Sequence, residues 1–247
     1  MERLFEILYE DPDLLVVNKP ADLVCHPTKG DIYSSLISRV RLHVGEKFSA
    51  HLVNRLDRET SGVVMVAKHP EVAKQLAKLW ERRAARKVYW AIVHGHVRED
   101  RGLIDAPLGV DEQSEVAIKS CVRPDGQPAQ TEFEVLLRFA RAEGEFTWLR
   151  LHLLTGRKHQ IRIHLQHVGH VIVGEKLYGE DERFYLDLVH GRLTPEQRLR
   201  LILPCGALHA RELGFHWAHK DWKFTAEPER WFTEFLGTGE TAVRSVR

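Results

Sequence analysis

The run Val88–Val93 constrains the fold more than any other stretch, because it is apolar almost throughout. A strand of this composition has no polar face to offer to water, so it is expected near the middle of a sheet covered on both sides. The apolar runs Leu14–Asn18 and Val63–Lys68 predict two further strands. The chain is therefore expected to build a sheet with helices packed against it.

Helical and alternating patterns supply the remaining elements. Pro70–Arg83 has its apolar residues on one helical face and a proline in the first turn. Thr131–Phe139 and Phe146–Leu154 alternate as two strands of a hairpin. We also expect strands at Leu4–Tyr9, Leu103–Leu108, Leu208–Trp217 and Trp222–Ala226. Further helices are expected at Tyr33–Val44, at Lys158–Val168, after Thr194 and at Glu229–Leu236. Residues 111–128 are expected to form a polar excursion with at most one edge strand. This mixture predicts an α+β fold with a mixed, largely antiparallel sheet and flanking helices, as a single domain over 1–247.

Composition excludes several classes of protein. The chain has 247 residues, of which 43% are hydrophobic and 29% charged, as in an ordinary soluble globular protein. It contains no apolar run long enough to span a bilayer and no cleavable signal pattern at its start. The three cysteines, Cys25, Cys121 and Cys205, are scattered, which favours a reducing, cytoplasmic location. The formal net charge of +1 neither indicates nor excludes a nucleic acid partner.

The segment Asn54–Gly62, NRLDRETSG, carries more charge than a turn requires. One interpretation is a polar loop in which Asp57 accepts backbone hydrogen bonds. The other is that Asp57 is an ionised carboxylate in a cleft, kept charged by a nearby cation. Sequence patterns alone leave both open.

Candidate cations lie about a hundred residues further along, in Thr155–His164, TGRKHQIRIH. Basic residues at a helix N-terminus oppose the helix dipole, so an anion is expected to compensate them. We assign a functional role to Arg157 and to Arg162, which stands between two isoleucines. For Lys158 considered alone we favour a solvated charge. A second basic group, consisting of Arg82, Arg83, Arg86 and Lys87, follows the Pro70–Arg83 helix.

Metal and cofactor sites are not predicted. The histidines that crowd two segments, namely His159, His164, His167 and His170, and His209, His216 and His219, lack the spacing of a helix-borne metal pair. The HExxH, GxSxG, GxGxxG and GxxxxGK[ST] patterns are absent as well. We expect most of these histidines to cap, to pack or to touch a ligand.

These segments resemble the RluA-type pseudouridine synthases. Asn54–Gly62 is similar to the family's HRLDxxTSG motif, and Leu14–Pro27 to its NKP segment. Ala85–Val97 resembles the KxYxAxVxG strand. Pro128–Leu136, Leu151–Gly179 and the late LHA strand at Leu208–Phe215 match in the family's order. The chain departs from the family at Asn54, where the motif usually has His. It also has His170–Val171 where relatives often have HP, and Glu175 where Asp is usual; we interpret these last two as structural.

The resemblance implies isomerisation of uridine to pseudouridine in structured RNA, tRNA or rRNA, without a cofactor. It implies that Asp57 is the catalytic carboxylate, that Tyr89 packs on the target base and that Arg162 pairs with Asp57. It also implies a central RNA-binding cleft. We further expect a monomeric catalytic domain without the S4 domain that many members carry. Arg55 and Arg58 flank the acid, and Arg86, Lys87, Arg157 and Lys158 are the other expected RNA-binding residues.

Two alternatives are kept open. One is a non-catalytic RNA-binding relative of the same fold. The other is a carboxylate-dependent hydrolase that uses Asp57 together with Glu59, although the two are close neighbours in sequence. Tyr89 on its own is equally compatible with an ordinary core tyrosine.

Overall fold

The structure is a computed structural model that describes residues 5–27 and 34–237. Its strands are β1 (Glu6–Glu10), β2 (Leu14–Lys19), β3 (His51–Leu52), β4 (Ser61–Ala67), β5 (Arg86–His94), β6 (Arg101–Asp105), β7 (Leu108–Val110), β8 (Ser120–Val122), β9 (Gln130–Arg141), β10 (Gly144–Leu153), β11 (Leu208–Trp217) and β12 (Lys220–Thr225). Its helices are α1 (Leu36–Val44), α2 (Pro70–Glu81), α3 (Gln160–His167), α4 (Arg183–Val189), α5 (Pro195–Leu201) and α6 (Arg230–Phe235).

The chain divides into two compact units. One consists of Met1–Tyr89 with His209–Glu229, and the other of Trp90–Leu208 with Arg230–Arg247. The division falls inside strand β5. Our expectation of a single domain stays a prediction.

The first unit is built on strands β1, β2, β4 and β11, in that order, with β3 beside β4 and β12 beside β11. Strands β4 and β11 run parallel, whereas β1–β2, β2–β4 and β11–β12 are antiparallel. In β2 and β4 every side chain except that of Asn18 is buried, because helices cover both faces of these strands. Alternation divides their side chains between two apolar clusters, one packed under α1 and the other under α2.

The second unit contains the antiparallel strands β10, β9 and β6, in that order, and a separate pair, β7 and β8. Helix α3 packs on the β7–β8 side through Ile163, which shares an apolar cluster with Leu108 and Leu177. The predicted hairpin is confirmed, since β9 ends at Arg141 and β10 begins at Gly144.

The expected α+β class with a mixed, largely antiparallel sheet is therefore confirmed. The expected strand Leu103–Leu108 was wrong in its bounds, because Pro107 interrupts it between β6 and β7. Helix α4 is short and was not predicted. Asp181, just before it, accepts a hydrogen bond from the Arg183 N–H. Leu4 and Tyr33, which began two predicted elements, lie outside the described residues.

The helix predicted after Thr194 is present as α5 and begins with a capping box. The Thr194 side chain accepts a hydrogen bond from the Gln197 N–H, and the Gln197 amide oxygen accepts one from the Thr194 N–H. Within residues 5–27 and 34–237, no helix is both long enough and apolar enough to span a bilayer.

Candidate active site

Asp57 lies in the loop that connects β3 to β4 in the first unit. The residue before it, Leu56, is buried in the apolar cluster under α1. The Cys25 thiol accepts a hydrogen bond from the Leu56 N–H at 3.4 Å and donates one to the Leu56 carbonyl at 3.3 Å. Leu56, the apolar residue within this charged segment, thus fixes the backbone immediately before Asp57.

The backbone after Asp57 is fixed by a buried lysine. Lys19 has no exposed surface, and its ammonium donates to the carbonyls of Pro20 and Leu23, each at 2.8 Å, and of Arg58 at 3.1 Å. A buried ammonium must find acceptors, since leaving it without them would cost several kcal/mol. The loop also closes on itself, because the Thr60 N–H donates to the Asp57 carbonyl at 3.2 Å.

Both ends of the loop are attached to strand β4. The Asn54 amide donates to the Val63 carbonyl at 3.0 Å and accepts from the Met65 N–H at 2.8 Å. Asn54, which stands where the family usually has His, therefore holds the backbone of the loop against β4 in this chain. At the other end Gly62 has a φ of +115°, and a Cβ there would lie 2.3 Å from the Ala210 carbonyl oxygen, so only glycine fits.

A buried histidine supports the same end of the loop. His209 Nδ1 lies 2.8 Å from the Ser61 hydroxyl and Nε2 lies 2.9 Å from the Ala226 carbonyl. Because a carbonyl can only accept, Nε2 carries the proton and Nδ1 accepts from Ser61. Burial lowers the pKa of His209 to about 4, so the ring is neutral at physiological pH. This histidine is a structural support, as expected for most of them.

Asp57 and Tyr89 lie in one neighbourhood. Asp57 is half-buried, and Tyr89 is half-buried against the apolar cluster that contains Leu56. Burial raises the pKa of the Tyr89 phenol, and the negative charge of Asp57 raises it further. The tyrosine therefore keeps its proton at physiological pH. This places the acid and the aromatic ring of the predicted site together.

Arg162 lies on α3 in the second unit and forms a bidentate ion pair with Glu175. Its Nε lies 2.7 Å from one carboxylate oxygen and its Nη2 2.6 Å from the other. The two side chains are only 11% and 3% exposed. Burial alone would raise the pKa of Glu175, but Arg162 and the N–H groups of Leu177 and Tyr178 hold it at about 2. The predicted pairing of Arg162 with Asp57 stays a prediction.

Aromatic contacts further restrain Arg162. Its guanidinium carbon lies 5.0 Å from the centroid of the Tyr178 ring. The Tyr178 hydroxyl in turn lies 2.7 Å from His159 Nδ1. The guanidinium is therefore held by a carboxylate and a ring together, a geometry that lysine could not reproduce.

The predicted RNA-binding residues of the first unit are mostly exposed. Arg55 and Arg58 flank Asp57 on the surface, and Arg58 Nε lies 2.6 Å from Asp22. Arg86 is exposed and Lys87 is half-buried at the start of β5. Burial lowers the pKa of Lys87, and a neighbouring arginine adds to this effect.

Arg157 and Lys158 stand before α3 and not inside it. Helix α3 begins at Gln160, two residues later than predicted, because His159 has a left-handed φ of +54°. Arg157 is half-buried and its Nε donates to the Pro128 carbonyl at 3.2 Å, whereas Lys158 is exposed.

The sequence did not predict three features: the pairing of Glu175 with Arg162, the hydrogen bonds from Lys19 to the backbone after Asp57, and the hydrogen bonds between Cys25 and Leu56. Glu175 and Lys19 each interrupt or end an apolar run, which is the signal that could have pointed to buried charge. Sequence alone did not reveal that Glu175 pairs with Arg162, 13 residues away, or that Lys19 reaches the Arg58 carbonyl, 39 residues away.

Comparison with solved structures shows which class of protein has this fold. The structure of human RNA pseudouridylate synthase domain containing 4 matches 94% of this chain and 92% of its own, with a TM-score of 0.72 and 28% identity. Human RNA pseudouridylate synthase domain containing 1 matches 90% of this chain and 83% of its own, also with a TM-score of 0.72 and with 27% identity. The fold is that of the pseudouridine synthases.

Sequence comparison gives the family. The model of the RNA pseudouridylate synthase family matches residues 13–167. A dual-specificity RNA pseudouridine synthase RluA of Vibrio vulnificus is 37% identical over 88% of this chain and 80% of its own length. An uncharacterised RNA pseudouridine synthase of Aquifex aeolicus is 34% identical over 85% of this chain, which spans 64% of that relative. The chain belongs to the RluA-type RNA pseudouridine synthase family, as the sequence motifs predicted.

Proposed function

We propose that the protein isomerises uridine to pseudouridine in structured RNA, with Asp57 as the catalytic carboxylate. The observation that carries this proposal is the half-buried Asp57 on a loop whose backbone is fixed on both sides by Cys25 and Lys19. Such a loop holds a carboxylate in position without enclosing it. Family membership supports the reaction class.

The reaction detaches the base from the ribose, turns it and rejoins it through carbon. The Asp57 carboxylate can attack or electrostatically support the sugar C1′, or take up a proton during elimination. Each of these three roles requires Asp57 to be ionised. We propose that Arg162 keeps Asp57 ionised. The buried Glu175 holds the Arg162 guanidinium in a fixed orientation.

Tyr89 offers a flat ring beside the acid for the target base. A nucleotide must leave its stack to reach a carboxylate of this kind, at a cost of a few kcal/mol. We propose that Arg55 or Arg58 occupies the gap or binds the displaced phosphate. Arg86, Lys87, Arg157 and Lys158 are the further candidates for phosphate contacts.

The substrate class is structured RNA, either tRNA or rRNA. We propose a monomeric enzyme that acts in the cytoplasm, in keeping with the scattered cysteines, of which Cys25 and Cys205 are buried and Cys121 half-buried.

The test is to map pseudouridines in total RNA from cells with and without the gene, complemented by the wild-type chain or by Asp57→Asn. One or more pseudouridines are expected to disappear with the gene and to return with the wild-type chain only. Return of the modification with Asp57→Asn would contradict the proposal.

Glu59→Gln provides the matched control, because Glu59 is a half-buried acid of the same loop. It is expected to restore the modification. If Glu59→Gln fails like Asp57→Asn, and if free uracil is released from RNA, the two-carboxylate hydrolase is the correct alternative.

A further inference from the structure

A groove of about 880 Å³ opens in the first unit at the C-terminal end of α1. Leu42, which is 61% exposed, and the half-buried Phe48 form apolar parts of its wall, and Arg41 and Lys47 supply positive charge. Glu46 is the acidic residue in the lining. None of these residues takes part in the site described above.

The Phe48 ring is held in place. The His69 ring packs edge-on against it at 5.5 Å between centroids, and the Lys68 ammonium lies 5.2 Å from its centroid. A fixed ring next to exposed cations is the combination that proteins use for single nucleic acid strands, in which bases stack and phosphates meet positive charge.

The groove has a fixed position relative to Asp57. The N–H groups of Leu36 and Ile37, in the first turn of α1, donate to the carbonyls of Val24 and Cys25 at 2.8 and 3.1 Å. The Cys25 thiol in turn holds the backbone of Leu56. Helix α1 and the catalytic loop are thus bonded to the same short segment.

His26 lies close to cations of both the loop and helix α1. Arg55 on the loop and Arg41 on α1 both act on His26, and after burial they are the causes that lower its pKa. Arg41 and Lys47 are exposed, and neither forms an ion pair within residues 5–27 and 34–237. Solvent-facing cations of this kind are available to phosphates.

We propose that this groove binds the RNA strand next to the target nucleotide, with phosphates on Arg41 and Lys47 and a sugar or base against Leu42 and Phe48. The inference rests on the proposed function, since it gives the RNA a second contact beyond the catalytic loop. Affinity for RNA then depends on residues that touch no reacting atom.

The test compares Arg41→Gln/Lys47→Gln with Lys74→Gln/Lys78→Gln in the full chain. The control pair removes the same charge from an exposed face of α2 in the same unit. Binding of fluorescein-labelled unfractionated tRNA and of ribosomal RNA is measured from about 50 to about 200 mM KCl. Tritium release from RNA labelled at uridine C5 is measured as KM and kcat, and circular dichroism confirms folding.

The groove variant is expected to bind at least one RNA more weakly, with a salt slope smaller by about 0.7–0.9 for each lost phosphate contact. Its KM is expected to rise while kcat is retained, and the control pair is expected to behave as wild type. Unchanged affinity and slope for both RNAs, or an equal loss in the control pair, would overturn the proposal. If the wild-type chain releases no tritium, the proposed function fails instead, whatever the slopes show.

Discussion

The Asp57 loop and the Arg162–Glu175 pair fix their charged groups in opposite ways. In the pair, both side chains are almost fully buried and bond directly to each other. In the loop, the backbone around Asp57 is tied to buried Cys25 and Lys19, while the acid itself is half-buried. In the proposed function Arg162 orients the acid, which suits a buried pair. Asp57 meets the substrate, which suits a fixed backbone with an open side chain.

This difference predicts that substitutions in the pair affect folding first and that substitutions in the loop affect catalysis first.

Arg162→Ala leaves the Glu175 carboxylate buried without its partner. We expect the free energy of unfolding to fall by about 3–5 kcal/mol, measured by urea denaturation. Arg150→Ala is the control, because Arg150 pairs with Glu134 at the same 2.7 Å while both side chains are 28% and 29% exposed. The control is expected to lose at most about 1 kcal/mol. Equal losses would show that burial of the first pair has no special weight.

Because the pKa of Glu175 is lowered on folding, the free energy of unfolding depends on pH in the acidic range. This pKa is about 2 in the folded chain against an ordinary value of 4.5, so the unfolded state binds more protons between these values. The stabilisation is complete above pH 4.5 and is lost as the pH falls toward 2, a change of about 3 kcal/mol. The wild-type curve should therefore be steeper in this range than that of Glu175→Gln. Parallel curves would contradict the assigned pKa.

Lys19→Met removes the tether after Asp57 and leaves buried carbonyls without their donor. We expect a loss of about 2 kcal/mol in stability together with a lower kcat, because the backbone at Arg58 is released. Lys68→Met is the control, since Lys68 is also buried but donates to Glu10 and to the Asp11 carbonyl. Its stability should fall while kcat is retained. A normal kcat in Lys19→Met would separate the tether from catalysis.

Cys25→Ala removes the thiol that bonds to both backbone groups of Leu56. The expected loss of stability is about 1 kcal/mol, with a decrease in kcat of less than about tenfold. Cys205→Ala, which truncates a buried cysteine of the second unit, should lose comparable stability without a change in kcat. If both variants keep the wild-type kcat, the clamp does not position the acid.

The sequence predicted the framework well for a physical reason. Strands β2 and β4 are buried on both faces, so their sequences are almost continuously apolar, and α2 shows its buried face as helical spacing. Element bounds were less predictable: β5 extends past the apolar run at both ends to Arg86–His94, because polar residues can continue a ladder.

The candidate site was predictable only in part. Asp57 and Tyr89 came from motifs, and the structure brings them together. The support around them depends on contacts between distant segments, such as Cys25 with Leu56 and Ser61 with His209. Side chains of these types occur widely as surface or core residues, so neither composition nor spacing distinguishes their roles.

Tritium release from RNA labelled at uridine C5 tests the central claim most directly, because pseudouridine formation replaces the C5–H bond. The wild-type chain should release tritium to water, whereas Asp57→Asn should release it at least about 10³-fold more slowly while folding and binding RNA as wild type does. Release at the wild-type rate by Asp57→Asn would show that this carboxylate does not carry the reaction.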